Sequence, residues 1–127
     1  MYYFSKTLSQ SVESTEEVVR QALQAHGFGV LTEIDVAATF KKKLDIDFPQ
    51  YKILGACNPG LAHEALNAES KIGTMLPCNV IVREIDAGTT EVAAVDPIAS
   101  MQAVENPSLN AVAAKVREQL KQVIESL

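Results

Sequence analysis

Tryptophan is missing from the 127 residues, and four phenylalanines with three tyrosines leave the aromatic share at 6%. A core must therefore be built from aliphatic side chains, which the 47% hydrophobic content allows. Cysteine is equally scarce. Cys57 and Cys78 are too few for a disulfide scaffold, and in a reducing compartment they rest as thiols unless metal or redox chemistry uses them. No apolar run approaches the roughly 20 residues of a membrane span, and residues 1–6 show no charged leader before an apolar segment. The expected location is the cytoplasm, with no membrane partner. Positive charge is in deficit too: eleven Lys plus Arg face sixteen Asp plus Glu. The net charge of −5 opposes attraction to phosphate backbones, so nucleic acid is not an expected partner.

What is present reads as one globular domain spanning residues 1–127. Tyr2, Phe4 and Leu8 alternate, with Lys6 interrupting, as an opening strand. Ser14 with Glu17 three residues later reads as a capping box, starting a helix whose stripe is Val18, Val19, Ala22 and Leu23. Gly27 ends it, and His26 suits its negative end structurally. Phe28, Val30, Thr32 and Ile34 alternate as a second strand, after which Asp35 caps a short helix carrying Val36, Phe40 and Leu44 on one face. Lys41, Lys42 and Lys43 crowd the rest of that turn, as a solvated face or as a patch for an anion or partner. Residues 50–57 form a third strand. Asn58-Pro59 then caps a helix packing through Leu61, Ala62, Ala65 and Leu66. A Gly-broken link over residues 70–77 leads to a fourth strand with Cys78, Val80 and Val82 inward, and the turn Asp86–Thr89 pairs it with a fifth. Asn106-Pro107 repeats the cap-plus-proline signal before the clearest helix, in which Leu109, Val112, Ala113, Val116, Leu120, Val123, Ile124 and Leu127 keep helical spacing. This order predicts a two-layer α+β fold, with a mainly antiparallel sheet of about five strands and the long C-terminal helix packed across it.

Chemistry concentrates where Cys57 ends one strand and Cys78 begins the next. Antiparallel neighbours put both thiols at the same end of the sheet, whereas parallel ones separate them by roughly 20 Å. The hairpin that follows favours the antiparallel arrangement. Cys57 also precedes a helix N-terminus, where free amides and the dipole stabilise a thiolate. The alternative is that both cysteines pack as small hydrophobes, Cys78 beside Val80 and Val82. A soft-metal site for copper(I) or zinc would draw on Cys57, His63, Met75 and Cys78, but no C-x-x-C or H-x-x-x-H accompanies them. A thiol-dependent enzyme would pair Cys57 with His63 or His26 and lacks a third orienting group. Glu33 and Asp35 share a strand face near a helix start, a placement that serves capping and solvation as readily as acid–base work.

The runs Glu33-Ile34-Asp35, Tyr51-Lys52-Ile53-Leu54-Gly55-Ala56-Cys57-Asn58-Pro59 and Leu76-Pro77-Cys78-Asn79-Val80, with Thr39, Lys41, Leu44, Ala62, Ala65, Leu66 and Gly73, carry a further signal. Over nearly its whole length the chain resembles the prokaryotic family known as domain of unknown function 302. That resemblance implies a small α+β fold with a curved antiparallel sheet, of the TATA-binding-protein-like kind, and a homodimer. It implies no activity or cofactor, and it places the family's recurrent cysteines at Cys57 and Cys78, with its turn residues at Asn58 and Pro59. The expected function is a dimeric binding or sensing module with a ligand or redox site at Cys57, Asn58 and Cys78. Glu33, Asp35 and Lys52 complete the candidate set. The alternative is an interaction domain without a small-molecule site.

Overall fold

The computed structural model describes Met1–Leu127 throughout. Strands β1 (Tyr3–Leu8), β2 (Gly29–Asp35), β3 (Tyr51–Cys57), β4 (Cys78–Asp86) and β5 (Thr89–Val95) form one sheet in the order β1-β5-β4-β3-β2. Every neighbouring pair is antiparallel. Helices α1 (Val12–Ala25) and α5 (Ser108–Glu125) pack on one face of this sheet and touch each other. Two shorter helices, α2 (Val36–Leu44) and α3 (Pro59–Ala68), connect β2 to β3 and β3 to β4, and the short α4 (Pro97–Ser100) lies between β5 and α5.

Period-2 alternation decides which side chains meet the helices. Leu54 and Ala56 of β3, Cys78, Val80 and Val82 of β4, and Val92 and Ala94 of β5 are buried inward. They meet Val19 and Leu23 of α1 and Leu120, Val123 and Ile124 of α5 in one aliphatic cluster. Each buried Val, Leu or Ile in this layer contributes about 1.5–3 kcal/mol by leaving water. Lys6, which interrupts the apolar pattern of β1, is accounted for at the end of α5, where its ammonium donates to the carbonyls of Glu125 and Leu127. A smaller cluster of Ala65, Ile72 and Leu109 joins α3 to α5.

Four local expectations are corrected. Helix α1 begins at Val12 rather than after Ser14: Ser11 is the N-cap and its hydroxyl accepts from the Ser14 amide at 3.1 Å. Starting a turn earlier buries Val12. In β2 the register shifts between Val30 and Thr32, so Leu31 is an extra residue and the expected common face of Phe28, Val30, Thr32 and Ile34 is broken. Val30 stands opposite Ala56, while Thr32 stands opposite Gly55 on the other face. Tyr2, expected on the buried face of the opening strand, precedes β1 and is 69% exposed. Leu66, assigned to the packed face of its helix, is exposed, and Ala65 alone in α3 is buried.

Candidate functional site

Register brings the two cysteines to one end of the sheet. Ala56 of β3 is paired with Cys78 of β4, so Cys57 stands one residue beyond the last rung of that ladder. The next residue, Asn58, is the N-cap of α3 and Pro59 its first helical position. Asn58 Oδ1 accepts from the Leu61 amide at 3.3 Å, and Asn58 Nδ2 donates to Gln119 Oε1 of α5 at 3.1 Å. One side chain thereby ties the end of β3, the start of α3 and the middle of α5. The close packing has a cause in the sequence: a β-carbon on Gly55 would overlap Thr32 Oγ1 and lie 2.6 Å from Pro77 Cγ. Glycine is what lets the turn before β4 and the bulged β2 close over β3.

Between these elements lies a cavity of about 30 Å³, with Cys57, Cys78, Asn58, Phe28, Pro77 and Met101 among its lining residues. Thirteen of the sixteen lining residues are hydrophobic, so the cavity offers water few of the two to four polar partners it needs. The two thiols differ. Cys57 is half-buried and Cys78 is 7% exposed, and neither is in a disulfide. Burial, with the Cys57 thiol nearby, pushes the Cys78 thiol up to about 11. At neutral pH Cys78 is a protonated, packed thiol.

The charged candidates belong to a different place. Lys52 donates to Glu33 at 2.7 Å and pairs with Glu16 of α1 at 2.9 Å, while Arg20 reaches Glu16 at 2.9 Å and Glu33 at 3.6 Å. The two carboxylates raise the Lys52 ammonium above its ordinary range. Burial works against ionisation of Glu16, but hydrogen bonds from Lys52 and Arg20 outweigh it and leave its pKa lowered. This four-residue network fastens α1 to the β2–β3 margin. Asp35 is not a member: its carboxylate accepts from the Ala38 amide at 2.9 Å and caps α2. Glu33 and Asp35 therefore share a strand without forming a working carboxylate pair.

The four-ligand metal set is corrected in the same way. His63 is exposed on α3, with its Nε2 3.4 Å from Asn67 Nδ2, because the apolar side of that helix turns inward. Met75 is 37% exposed and lines a separate depression with Thr74 and Ser100. Nowhere do three of His, Cys, Asp and Glu gather to hold a metal ion. His26 Nδ1 donates to the Ala22 carbonyl at 2.8 Å, at the C-cap of α1. Met101 and Gln119 were not singled out by sequence. Met101 follows the four-residue α4, and Gln119 sits on the outer part of the α5 pattern, so neither carries a local signal.

Fold and site together define an α+β domain with an antiparallel five-stranded sheet, helices on one face, and a paired-thiol cavity at one end. The chain belongs to the family described as Domain of unknown function DUF302, whose model matches residues 4–127. It is similar to the uncharacterised conserved protein DUF302 from Bacillus stearothermophilus, with a TM-score of 0.90 and 28% identity, over 98% of this chain and 97% of that one. No curated protein matches it. No helix is long and apolar enough to cross a membrane.

Proposed function

We propose that this DUF302 domain is a cytoplasmic, dimeric binding or sensing module that works through the thiols at Cys57 and Cys78. The observation that supports the reading is convergence: residues 57, 58 and 78 line one apolar cavity beside the first turn of α3. A cavity of about 30 Å³ is far below the roughly 300–1,000 Å³ of an organic-ligand pocket, which favours a guest of one or a few atoms acting on sulfur. Cys57 is the accessible thiol of the pair and Cys78 the sequestered one. Unpaired thiols suit a reducing compartment. Exposed apolar side chains at Leu31, Ile34, Leu44, Ile46 and Phe48, around a helix α2 that buries none of its nine residues, favour a second copy as partner. Alkylation of the native protein tests the site. A small haloacetamide is expected to label Cys57 fast and Cys78 only after unfolding, and a Cys57 as inert as Cys78 would refute the thiol-based reading.

A second reading is favoured by how the motif residues are employed. Both polar atoms of Asn58 are engaged by protein groups, Gly55 makes room for Thr32 and Pro77, and Cys78 belongs to the core cluster. Such a motif closes the fold and nothing more, leaving an interaction domain without a small-molecule site. Under that reading Cys57→Ser leaves every ligand and partner property unchanged.

A further inference from the structure

The cavity collects more sulfur than the cysteine motif announces. Cys57, Cys78 and Met101 all line it, three of the five sulfur-bearing side chains in the sequence. Among the remaining lining residues Asn58 is the one with a polar side chain, and its oxygen and nitrogen are engaged by Leu61 and Gln119. The space suits a single atom that gains from soft donors and needs no hydrogen bonds. Thiolate and thioether sulfurs select copper(I), whereas structural zinc takes four ligands from Cys, His and carboxylates, a set that gathers nowhere in this fold.

We propose that Cys57, Cys78 and Met101 form a binding site for one soft monovalent cation, copper(I). The inference rests on the thiol-site reading above and names its guest. Binding forms two copper–thiolate bonds and breaks two S–H bonds, and both protons pass to solvent. The copper enters and stays as copper(I), so no oxidant or reductant takes part. The resulting bis-thiolate unit carries one negative charge, and the N-terminus of the ten-residue α3, which starts two residues after Cys57, favours negative charge. The Met101 thioether is a neutral third donor that adds no further charge to an apolar space.

The test is anaerobic titration of the reduced full chain with copper(I) bicinchoninate, following loss of the coloured complex, with Cys57 alkylation measured in parallel. One copper per chain is expected, with alkylation of Cys57 suppressed by the metal. Cys57→Ser should weaken binding by at least about 100-fold and Met101→Leu, a volume-conserving change, by about tenfold. Far-UV circular dichroism confirms that both variants fold. If the protein takes no copper while Cys57 alkylates readily, the copper assignment is wrong and the thiol site stands; if Cys57 is also inert, both readings fall. Undiminished binding in Cys57→Ser overturns the site, and undiminished binding in Met101→Leu overturns the three-sulfur form of it.

Discussion

Gly55 shows how one absent side chain sets the geometry around the thiols. A methyl group there would meet Thr32 Oγ1 and the rigid ring of Pro77, and the threonine can rotate away while the proline cannot. Overpacking of this kind costs about 1–3 kcal/mol, so Gly55→Ala should lower the urea midpoint at an unchanged slope. Adding Thr32→Ala should recover part of that loss and never all of it, and full recovery would show that Pro77 is not a constraint. Cys78 offers a second handle at this scale. Its folded pKa is raised from 9.0 to about 11, so the folded state holds the proton over a range in which the unfolded chain releases it. The stabilisation is therefore fully present below pH 9 and lost as pH rises towards 11, a difference of roughly 2–3 kcal/mol. Cys78→Ala removes the effect: its denaturation midpoint should fall less steeply than that of the parent between pH 8 and 11. Parallel slopes would contradict the assignment.

At the scale of elements, α3 is held by its first turn more than by its length, since Ala65 is its one buried residue. Asn58 supplies both the cap and the link to α5. Asn58→Ala should cost about 1 kcal/mol for the cap and up to as much again for the lost hydrogen bond, while Gln119→Ala forfeits the second contribution alone. The double variant should therefore be less destabilised than the two single losses added together, and strict additivity would mean that the two side chains do not interact. The cap at Asn58-Pro59 and the apolar rhythm of α5 were legible in sequence because each is local, set by neighbours within a few residues. The pairing with Gln119, 61 residues away, was not. Nor was the bulge at Leu31, which depends on what stands across the ladder at Gly55 and Ala56 rather than on the alternation of β2 itself. The capping box at Ser14 was misread for a related reason: Ser11 is an equal capping residue, and what decides between them is the burial of Val12 by the core.

For the molecule as a whole, the antiparallel meeting of β3 and β4 was readable from the hairpin that follows, and with it the shared end for Cys57 and Cys78. The separation of that end from the Glu16–Arg20–Glu33–Lys52 network was not, because Lys52 lies five residues before Cys57 in the same strand and only the strand's length divides them. The sequence pattern of α2 also misled: Val36, Phe40 and Leu44 keep helical spacing, yet none is buried within the chain. Within the chain this face is covered only in part, by Phe48 against Phe40, and the dimer proposed above would cover the remainder. Lys42 and Lys43 make no ion pair within the chain. Sedimentation equilibrium should then report twice the 13.7 kDa chain mass. Replacing the 61%-exposed Leu44 by Glu together with the 46%-exposed Ile46 by Lys should yield monomer with unchanged far-UV circular dichroism. A parent protein that sediments as monomer would sink the dimer, and a variant that stays dimeric would move the contact away from α2.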